Sequence, residues 1–374
     1  MTGPILITAG GTGGHLFPAE ALSAELTRRG RRVLFVTDTR GKGFARADNA
    51  IETARISAAT FESRNPLALV KAAFQILAGI VQAHALIGRK RPAAAIGFGG
   101  YPSLPAMIAA WLRGVPSAIH EQNSVLGRAN RALAGRVDLI ASSFPTLEKS
   151  GGARVALTGN PVRPGISAIA GAPYAPPEAD GPIRVAVFGG SQGARIMSDI
   201  VPGAVAALPE ALRRRIALVQ QCRPEDLDRT RAAYASAGVT AELQAFFADV
   251  PDRLKAAHVV VARSGASTCA ELTAVGRPSI LVPYPFATDD HQTFNARALE
   301  AGGAAVCVPQ PQFTPATLAA LLGALLADPV RLSAMAAGAA RLARPDAASA
   351  LADLVERLAM GDNARFPEHA EARP

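Results

Sequence analysis

Length, composition and charge set the outer bounds on this protein. The chain has 374 residues, of which 49% are hydrophobic and 18% charged, so it can bury a sizeable core, and its length favours two domains. Its formal net charge of +9 indicates an anionic partner, which could be nucleic acid, a phosphate-bearing substrate or an acidic membrane surface. The 5% aromatic content and the lack of a recognisable binding motif argue against nucleic acid.

The cysteines and the first residues indicate the compartment. Cys222, Cys269 and Cys307 are scattered without metal-ligand spacing, so we expect reduced packing thiols rather than disulfides or a zinc site. The first four residues lead directly into an apolar run, with no basic start or cleavage site. We therefore expect no signal peptide and a cytoplasmic protein.

Short β-branched runs alternate with helical stretches along the chain, which is typical of parallel sheets crossed by helices. The first series of predicted strands lies at 4–8, 32–37, 93–96, 117–120 and 139–141. The second series lies at 183–188, 216–220, 259–262, 279–282 and 304–308. Between them, residues 159–182 are rich in proline and glycine, and we interpret them as a linker between two α/β domains.

Each series opens with a strand, a glycine-rich turn and a helix. The first opening is ITAGGTGGHLFPAEAL, residues 7–22, and the second is RVAVFGGSQGARIMSD, residues 184–199. Glycine allows positive φ and close approach to a ligand, and the following helix start attracts phosphate. One such turn can be explained by local backbone geometry alone. Two, each opening a predicted sheet, favour a ligand in a cleft between the domains.

Two common nucleotide-binding patterns fail at these turns. For the G-x-G-x-x-G pattern of a dinucleotide-dependent dehydrogenase, counting from Gly11 and Gly13 puts the third glycine at Leu16. Asp38 ends the second apolar run, where a ribose-binding acid would stand, but without the fingerprint we interpret it as a loop cap. Neither turn carries the Gly-Lys-Ser/Thr ending of a P-loop.

Residues 64–92 combine apolar stripes with basic ends. One stripe at helical spacing consists of Leu67, Val70, Phe74, Leu77 and Val81, and a second of Leu69, Ile76 and Ile80. One of them should pack on the sheet. Polar residues such as Lys71 interrupt the stretch too often for a transmembrane span, whereas basic residues at Arg64, Lys71 and 89–91 suit shallow contact with anionic lipid. A wholly buried crossover helix with solvated basic ends is the alternative.

His15 is the best candidate for a general base. It follows the first glycine-rich turn, and an imidazole titrates near pH 6.5. A capping or packing role is the alternative. Glu121 and Asn123, at the end of another predicted strand, are candidates to orient an acceptor or to support His15, and we expect His120 to be buried.

The segment ARSGASTCAEL, residues 262–272, suits a phosphate-bearing ligand. A predicted strand ends there, and small residues lead into a helix. Ser264 to Thr268 can offer backbone and hydroxyl donors to a diphosphate, and Glu271, expected in the first helical turn, can accept two ribose hydroxyls. An ordinary capped helix with an exposed glutamate is the alternative.

Several longer motifs together resemble the MurG family of glycosyltransferases. These are GGTGGHLFPAEALSAEL, GFGGYPSLPA, HEQNSVLGRANRALA, GNPVR, GGSQGAR, and RSGASTCAEL followed by GRPSILVPYPFATDDHQTFNA. They occur in the family's order over nearly the whole chain. The resemblance implies an α/β GT-B fold, with two Rossmann-like domains facing each other across a cleft. The expected parts are an acceptor- and membrane-binding domain at 1–160, a UDP-GlcNAc-binding domain at 161–340 with a linker at 161–182, a helix at 341–358 that crosses back, and a disordered tail at 359–374.

The resemblance also implies an activity. The family moves N-acetylglucosamine (GlcNAc) from UDP-GlcNAc, with inversion, to the 4-hydroxyl of the N-acetylmuramic acid (MurNAc) unit of lipid I. Lipid I is undecaprenyl-pyrophosphoryl-MurNAc-pentapeptide, and the product is lipid II of peptidoglycan. No cofactor and no catalytic metal are expected. The one tempting carboxylate pair, Asp289 and Asp290, lacks an evident third ligand.

The expected setting is the cytoplasmic face of the plasma (inner) membrane, with peripheral binding to anionic phospholipid and other cell-wall synthesis proteins as further partners. Another UDP-sugar enzyme of the same fold, such as a glycolipid synthase or an epimerase, is one alternative. A non-catalytic nucleotide-sugar-binding module is another.

The resemblance supports specific roles for the candidate residues. We expect His15 and Glu121 in catalysis. Arg163 is expected on phosphate, Phe247 near the uracil and Gln292 on the sugar hydroxyls. The expected substrate-binding set is Thr12, Gly13, Gly14, Asn123, Arg163, Ser191, Phe247, Ala266, Ser267, Thr268, Glu271 and Gln292. The expected membrane patch is Leu67, Lys71, Phe74 and Leu77.

Overall fold

The chain divides into two compact units. A computed structural model describes residues 3–10, 13–38, 51–59, 65–190 and 193–361. Unit 1 comprises Met1–Arg163 together with Pro345–Pro374, and unit 2 comprises Pro164–Arg344. Each unit is built on its own parallel sheet.

The sheet of unit 1 has seven strands among the described residues, in the order β3-β2-β1-β4-β5-β6-β7. The strands are β1 Ile5–Thr8, β2 Val33–Asp38, β3 Ile51–Ile56, β4 Ala94–Gly97, β5 Ser117–Glu121, β6 Leu139–Ser142 and β7 Val155–Leu157. All neighbouring pairs are parallel. The strand order reverses between β1 and β4, as in a Rossmann fold, and the carboxyl ends of strands at such a point form a ligand crevice.

Helices cover both faces of this sheet. They are α1 Gly13–Arg28, α2 Pro66–Lys90, α3 Ser103–Leu112 and α4 Arg128–Leu133, joined by a helix from the end of the chain, α14 Ala347–Ala359. One hydrophobic cluster joins α1 and α14 to one face of the strands, and another joins α2, α3 and α4 to the opposite face. Central strands such as β1 and β4 are apolar on both faces because both faces are covered.

Unit 2 repeats this architecture, with strand order β10-β9-β8-β11-β12-β13 among its described residues. Its strands are β8 Ile183–Phe188, β9 Ile216–Gln221, β10 Ala241–Gln244, β11 Val259–Ala262, β12 Ser279–Leu281 and β13 Ala305–Cys307. All pairs are parallel, and the order reverses between β8 and β11. Its helices are α5 Pro164–Ser167, α6 Arg195–Ala206, α7 Glu210–Arg213, α8 Leu227–Ser236, α9 Val250–Ala256, α10 Ala266–Val275, α11 His291–Ala301, α12 Pro315–Leu326 and α13 Pro329–Leu342.

All ten predicted strands are present, and the structure adds three that the apolar pattern did not predict. The additional strands are β3, β7 and β10, each at an edge of its sheet. An edge strand is less completely buried, so its side chains need not be apolar, as the IETARI of β3 shows. The predicted linker also contains one short helix, α5.

Helix α14 is held to unit 1 by apolar contacts and by an ionic cluster. Leu351 and Leu358 lie in the hydrophobic cluster that also contains residues of α1. At the rim of this contact, the Arg29 guanidinium donates to Asp353 at 2.5 Å and to Glu356 at 2.9 Å. It also donates to the Ser349 hydroxyl at 2.7 Å, so one side chain, directly after the end of α1, bonds three positions on α14.

We expect Arg29→Met to lower the free energy of unfolding of unit 1 by about 2 kcal/mol, because the partly buried carboxylates of Glu25 and Glu356 lose a charged donor. The matched control is Arg28→Met, since the Arg28 side chain is 71% exposed and pairs with Glu25 on its own helix. That variant should change stability by less than about 0.5 kcal/mol. Urea denaturation followed by circular dichroism measures both. Equal effects of the two substitutions would contradict this account of the α14 contact.

Candidate active site

Parallel strands bring polar residues from distant parts of unit 1 to one edge of its sheet. The turn into α1 follows β1, residues 98–100 follow β4, and residues 122–123 follow β5. These three strands are neighbours at the point where the strand order reverses. The carboxyl edge of β1, β4 and β5 is therefore the place where a ligand is expected in unit 1.

His15 lies in the first turn of α1, against a pair of glycines after β4. Gly99 and Gly100 have φ of +82° and +74°, values that L side chains rarely adopt. A Cβ at Gly99 would lie 3.4 Å from His15 Cε1, and a Cβ at Gly100 would lie 3.4 Å from His15 Cδ2. A side chain at either position would therefore contact the imidazole ring.

A hydrogen-bonded chain connects His15 to the interior of unit 1. Its Nδ1 lies 3.0 Å from the Gln122 Oε1. Gln122 Nε2 lies 3.1 Å from His120 Nδ1, and His120 Nε2 lies 3.0 Å from the carbonyl oxygen of Gly159. Gln122 and His120 are 2% and 0% exposed, so these contacts are shielded from water. The expectation that His120 is buried is confirmed.

Burial keeps His120 neutral. It lowers the pKa of His120 to about 4, with a smaller contribution in the same direction from the nearby His15, while the bond to the Gly159 carbonyl opposes the shift. The ring of Phe98 packs against it, with centroids 5.1 Å apart. A neutral imidazole is both a donor and an acceptor, as this chain of contacts requires.

Glu121 is held by its own loop. One carboxylate oxygen accepts from the backbone and side-chain nitrogens of Asn123, both at 3.1 Å. The other accepts from the backbone of Gly127 at 2.9 Å and from the Asn130 side chain at 2.8 Å. Alternation along β5 explains why Glu121 does not meet His15. Strand neighbours point to opposite faces, and the Glu121 carboxylate bonds Asn130 on α4.

In unit 2, the corresponding edge is formed by the turn after β8 and the start of α10. Gly190 and Gly193 have φ of +89° and +70° and frame the turn. α10 begins at Ala266, directly after the N-cap Gly265. Glycine has no side chain with which to cap the helix. The first helical bond runs from Cys269 to Gly265, so the N–H groups of Ala266, Ser267 and Thr268 have no acceptor within the helix.

Gln292 is brought beside this helix start by Ser264. The buried Ser264 hydroxyl donates to the Gln292 carbonyl at 2.7 Å, and the Asn295 side chain donates to the Ser264 carbonyl at 3.0 Å. The Gln292 Oε1 accepts from the Tyr284 backbone at 3.0 Å. Within the described ranges no acceptor is recorded for its amide nitrogen.

Two other expected donor-site residues are buried. Glu271 lies in the second turn of α10, not the first, because the helix begins at Ala266, and it is 8% exposed rather than surface-exposed. Phe247 is 3% exposed, edge-on to Phe188 and beneath the Arg253 guanidinium, which lies 4.9 Å from its ring centroid.

The remaining expected site residues lie at turns or outside the described residues. Gly13 and Gly14 begin α1, and Arg163 is exposed immediately before α5. Thr12 and Ser191 lie outside the described residues, as does Arg64 at one end of the basic stretch. For these positions the binding roles stay predictions.

Asp289 and Asp290 adopt left-handed backbone conformations, with φ of +53° and +54°, just before α11. The Asp290 carboxylate accepts from the Thr293 hydroxyl at 2.7 Å. Over the described parts of the chain, no three His, Cys, Asp or Glu side chains cluster in a way that could hold a metal ion.

Helix α2 presents the first apolar stripe to the surface. Its exposed side chains are Leu67 at 80%, Val70 at 69%, Phe74 at 73%, Leu77 at 57% and Val81 at 62%. The inner face instead carries small residues such as Ala72, Gly79 and Ala83. At Gly79 a Cβ would lie 1.9 Å from the Ser57 carbonyl oxygen, so only glycine allows this close approach. Three of these exposed side chains, Leu67, Phe74 and Leu77, belong to the predicted membrane patch. Lys71, the fourth residue of that patch, is also exposed.

By length and composition, α2 is the one single helix among the described residues that is apolar enough to cross a membrane, with a mean hydropathy of 1.5. A bent pair of helices within 315–359 passes the same test when taken together. Core helices of soluble proteins also pass it, so the result is weak evidence.

Sequence analysis missed Gln122, although it lies inside the quoted HEQN motif. The signal that could have found it is strand alternation. Ala118 packs on the face of the sheet that α1 covers, and Ile119 packs on the opposite face. His120 and Gln122 therefore share the face of His15, whereas Glu121 does not.

Comparison with known proteins agrees with this architecture. Residues 5–142 match the glycosyltransferase family 28 N-terminal domain, and residues 184–353 match the glycosyltransferase family 28 C-terminal domain. The crystal structure of Acinetobacter baumannii MurG superimposes with a TM-score of 0.76 at 29% identity, covering 95% of this chain and 99% of that one. The fold is GT-B, and the chain is a glycosyltransferase.

Two curated relatives are similar over nearly their whole length. One from Paramagnetospirillum magneticum is 54% identical and covers 94% of this chain and 95% of the relative. One from Mesorhizobium japonicum is 51% identical and covers 96% of each. Both are named UDP-N-acetylglucosamine--N-acetylmuramyl-(pentapeptide) pyrophosphoryl-undecaprenol N-acetylglucosamine transferase. The chain belongs to the MurG family.

Buried neutral His120 gives a pH-dependent stability. Because its folded-state pKa of about 4 lies below the ordinary value of 6.5, folding is favoured in full above about pH 6.5 and loses stability as the pH falls towards 4. We expect this loss to be about 3 kcal/mol in the wild type. His120→Gln should remove this part of the pH dependence. Urea denaturation between about pH 4 and pH 8 measures it, and equal slopes for the two proteins would contradict the assignment.

Proposed function

We propose that this protein transfers GlcNAc from UDP-GlcNAc to the MurNAc 4-hydroxyl of lipid I, with inversion, and so forms lipid II. The full-length similarity to enzymes named for this transfer supports the choice of substrates. The observation that carries the mechanism is the placement of His15. Its ring lies at the carboxyl edge of the unit 1 sheet, with Nδ1 engaged by Gln122 and no partner recorded for Nε2 among the described residues.

In this mechanism His15 is the general base. Its Nε2 takes the proton of the acceptor hydroxyl while that oxygen forms a bond to the anomeric carbon of GlcNAc. The bond from that carbon to the phosphate oxygen breaks, and its electron pair leaves with UDP. Inversion follows because the hydroxyl attacks the face opposite the leaving group. A positioned base of this kind contributes roughly 10²- to 10⁴-fold to the rate.

Unit 2 supplies the donor site in this proposal. The free N–H groups at the start of α10 bind the diphosphate, and the positive end of the helix stabilises the charge that develops on UDP. This chemistry needs no metal. Glu271 accepts the ribose hydroxyls, and the Gln292 amide nitrogen reaches the sugar. Because the ring of Phe247 is packed inside unit 2, the backbone of its loop, rather than the ring face, would contact uracil.

The remaining assignments complete the substrate contacts. Arg163 binds phosphate, and Ser191 binds the uridine portion of the donor. Asn123 contacts the sugar. Thr12, Gly13 and Gly14 contribute backbone donors from the first turn. Glu121 stabilises the loop that contains Asn123. The four hydrogen bonds of the Glu121 carboxylate go to that loop and to α4.

The exposed face of α2 is the membrane-binding surface in this proposal. Leu67, Phe74 and Leu77 enter the lipid shallowly, and Lys71 meets anionic headgroups at the cytoplasmic face of the plasma membrane. An acceptor with a polyprenyl tail requires such contact. Association with other cell-wall synthesis proteins stays a prediction.

The transfer is tested with labelled UDP-GlcNAc and a soluble lipid I analogue, with EDTA present. We expect product from the wild type and from the control His84→Ala, whose position is a half-exposed histidine on α2. His15→Ala should bind UDP-GlcNAc normally but lose at least about 100-fold in kcat. Full activity in His15→Ala would overturn the base assignment.

Other outcomes bear on the alternatives. Loss of wild-type activity in EDTA, restored by added Mg²⁺, would overturn metal-independent transfer. If the wild type binds both substrates yet forms no product, a different acceptor or a non-catalytic binding module becomes the better account. Conversion of UDP-GlcNAc without acceptor would instead indicate an epimerase.

The membrane proposal is tested by sedimentation with vesicles of phosphatidylcholine, with and without phosphatidylglycerol. We expect binding that requires the anionic lipid, and Phe74→Ser/Leu77→Ser should weaken it about tenfold or more, because two exposed apolar groups are lost. The matched control is Phe286→Ser, since Phe286 on unit 2 is 79% exposed against 73% for Phe74. Equal binding by the double variant and the wild type would contradict this assignment of the surface.

A further inference from the structure

We propose that Gln122 is a positioning residue that holds His15 in the tautomer with its proton on Nδ1 and its lone pair on Nε2. This inference rests on the proposed function, because it concerns how the base is prepared for the transfer. A free imidazole exchanges its proton between two nitrogens, and only one arrangement leaves Nε2 able to accept a proton.

The orientation of the Gln122 side chain follows from its buried neighbours. Its Nε2 lies 2.9 Å from the carbonyl oxygen of Phe98, and a carbonyl oxygen can only accept. The same amino group lies 3.1 Å from His120 Nδ1. The nitrogen end of the amide must therefore face Phe98 and His120, and the oxygen end must face His15.

The location of the proton on His120 agrees with this orientation of the Gln122 amide. Its Nε2 lies 3.0 Å from the Gly159 carbonyl oxygen, which again can only accept, so the proton of the neutral ring is on Nε2. His120 Nδ1 is then an acceptor for the Gln122 amino group. The amino group also lies 3.3 Å from the His120 carbonyl oxygen. Reversing the Gln122 amide would break these inner hydrogen bonds and would place two oxygens 2.9 Å apart.

The state of His15 follows from that of Gln122. Gln122 Oε1 has no hydrogen to give, so the contact of 3.0 Å is a hydrogen bond only when His15 Nδ1 carries the proton. The lone pair of the neutral ring is then on Nε2. The buried carbonyl oxygens of Phe98 and Gly159 thus determine, through Gln122 and His120, which nitrogen of the part-exposed His15 is basic.

The tautomer can be measured directly. The chain has six histidines, so selective ¹⁵N labelling gives few signals, and His15→Ala identifies the one from His15. Long-range ¹H–¹⁵N spectra recorded at about pH 8, where an ordinary imidazole is neutral, distinguish the two tautomers. We expect the wild-type His15 signal to be that of a ring protonated at Nδ1. A ring protonated at Nε2 would overturn the inference.

Two substitutions separate the role of the acceptor from that of packing. Gln122→Leu removes the acceptor and should shift His15 towards the Nε2-protonated form. It should lower kcat about tenfold or more while the KM for UDP-GlcNAc stays within about twofold. Gln122→Glu keeps an oxygen facing His15 and, as the neutral acid, has an O–H that can donate to the Phe98 carbonyl in place of the amino group, so it should retain the Nδ1-protonated form and more activity than the leucine variant. If Gln122→Leu does not fold, the glutamate variant carries the test, and an Nε2-protonated His15 in it would overturn the inference.

The control for losing a buried glutamine is Gln220→Leu in unit 2. Gln220 is fully buried and bonds Tyr234 and Ser198, so its loss should reduce stability without moving the His15 signal or kcat. A wild-type His15 signal in Gln122→Leu would overturn the inference, and so would an altered tautomer with unchanged kcat. If the tautomer follows Gln122 while His15→Ala remains active, the positioning stands and the proposed base is wrong.

Discussion

Parallel pairing imposes one constraint on which both units depend: every strand of a sheet ends at the same edge. In unit 1 this edge collects the turn before α1, the glycines after β4 and the residues after β5, although about 100 residues of chain separate the first from the last. In unit 2 it collects the turn after β8 and the start of α10. The residues of each group are far apart in sequence, and strand pairing alone brings them together. Once the sheets are paired, the polar groups are already neighbours.

Much of the fold could be predicted because a strand that is buried on both faces is recognisable in the sequence as an apolar run. A central parallel strand such as β1 or β11 is a mainly apolar run, and all ten predicted runs are strands. The edges could not be predicted in the same way. β3 and β10 carry charged side chains on partly exposed faces, so nothing in their composition separates them from loops. The surface stripe of α2 was recognised as apolar, but the sequence alone did not determine which stripe pointed outward, because the inner contact is made by small residues such as Gly79.

The site was predictable by residue type and less so by direction. His15 was found because a histidine beside a glycine-rich turn is conspicuous. Glu121 drew attention as the charged residue of its motif, yet strand alternation directs it to the other face, and the uncharged Gln122 contacts His15. Glu271 was placed one helical turn too early because its helix begins only at Ala266. Such errors concern the residue at which a helix begins or a single step along a strand, which composition does not record.

The docking of α14 on unit 1 has a consequence for synthesis. Unit 2 is contiguous in the chain, so all its strands have left the ribosome before the last helix of unit 1 is translated. Until then the apolar surface that α14 covers, including Leu22 and Leu26 of α1, lacks its final layer. A nascent chain that stops short of residue 347 therefore carries an incomplete first domain beside a complete second one. Such a chain would expose an aggregation-prone surface, which α14 covers once it has been synthesised.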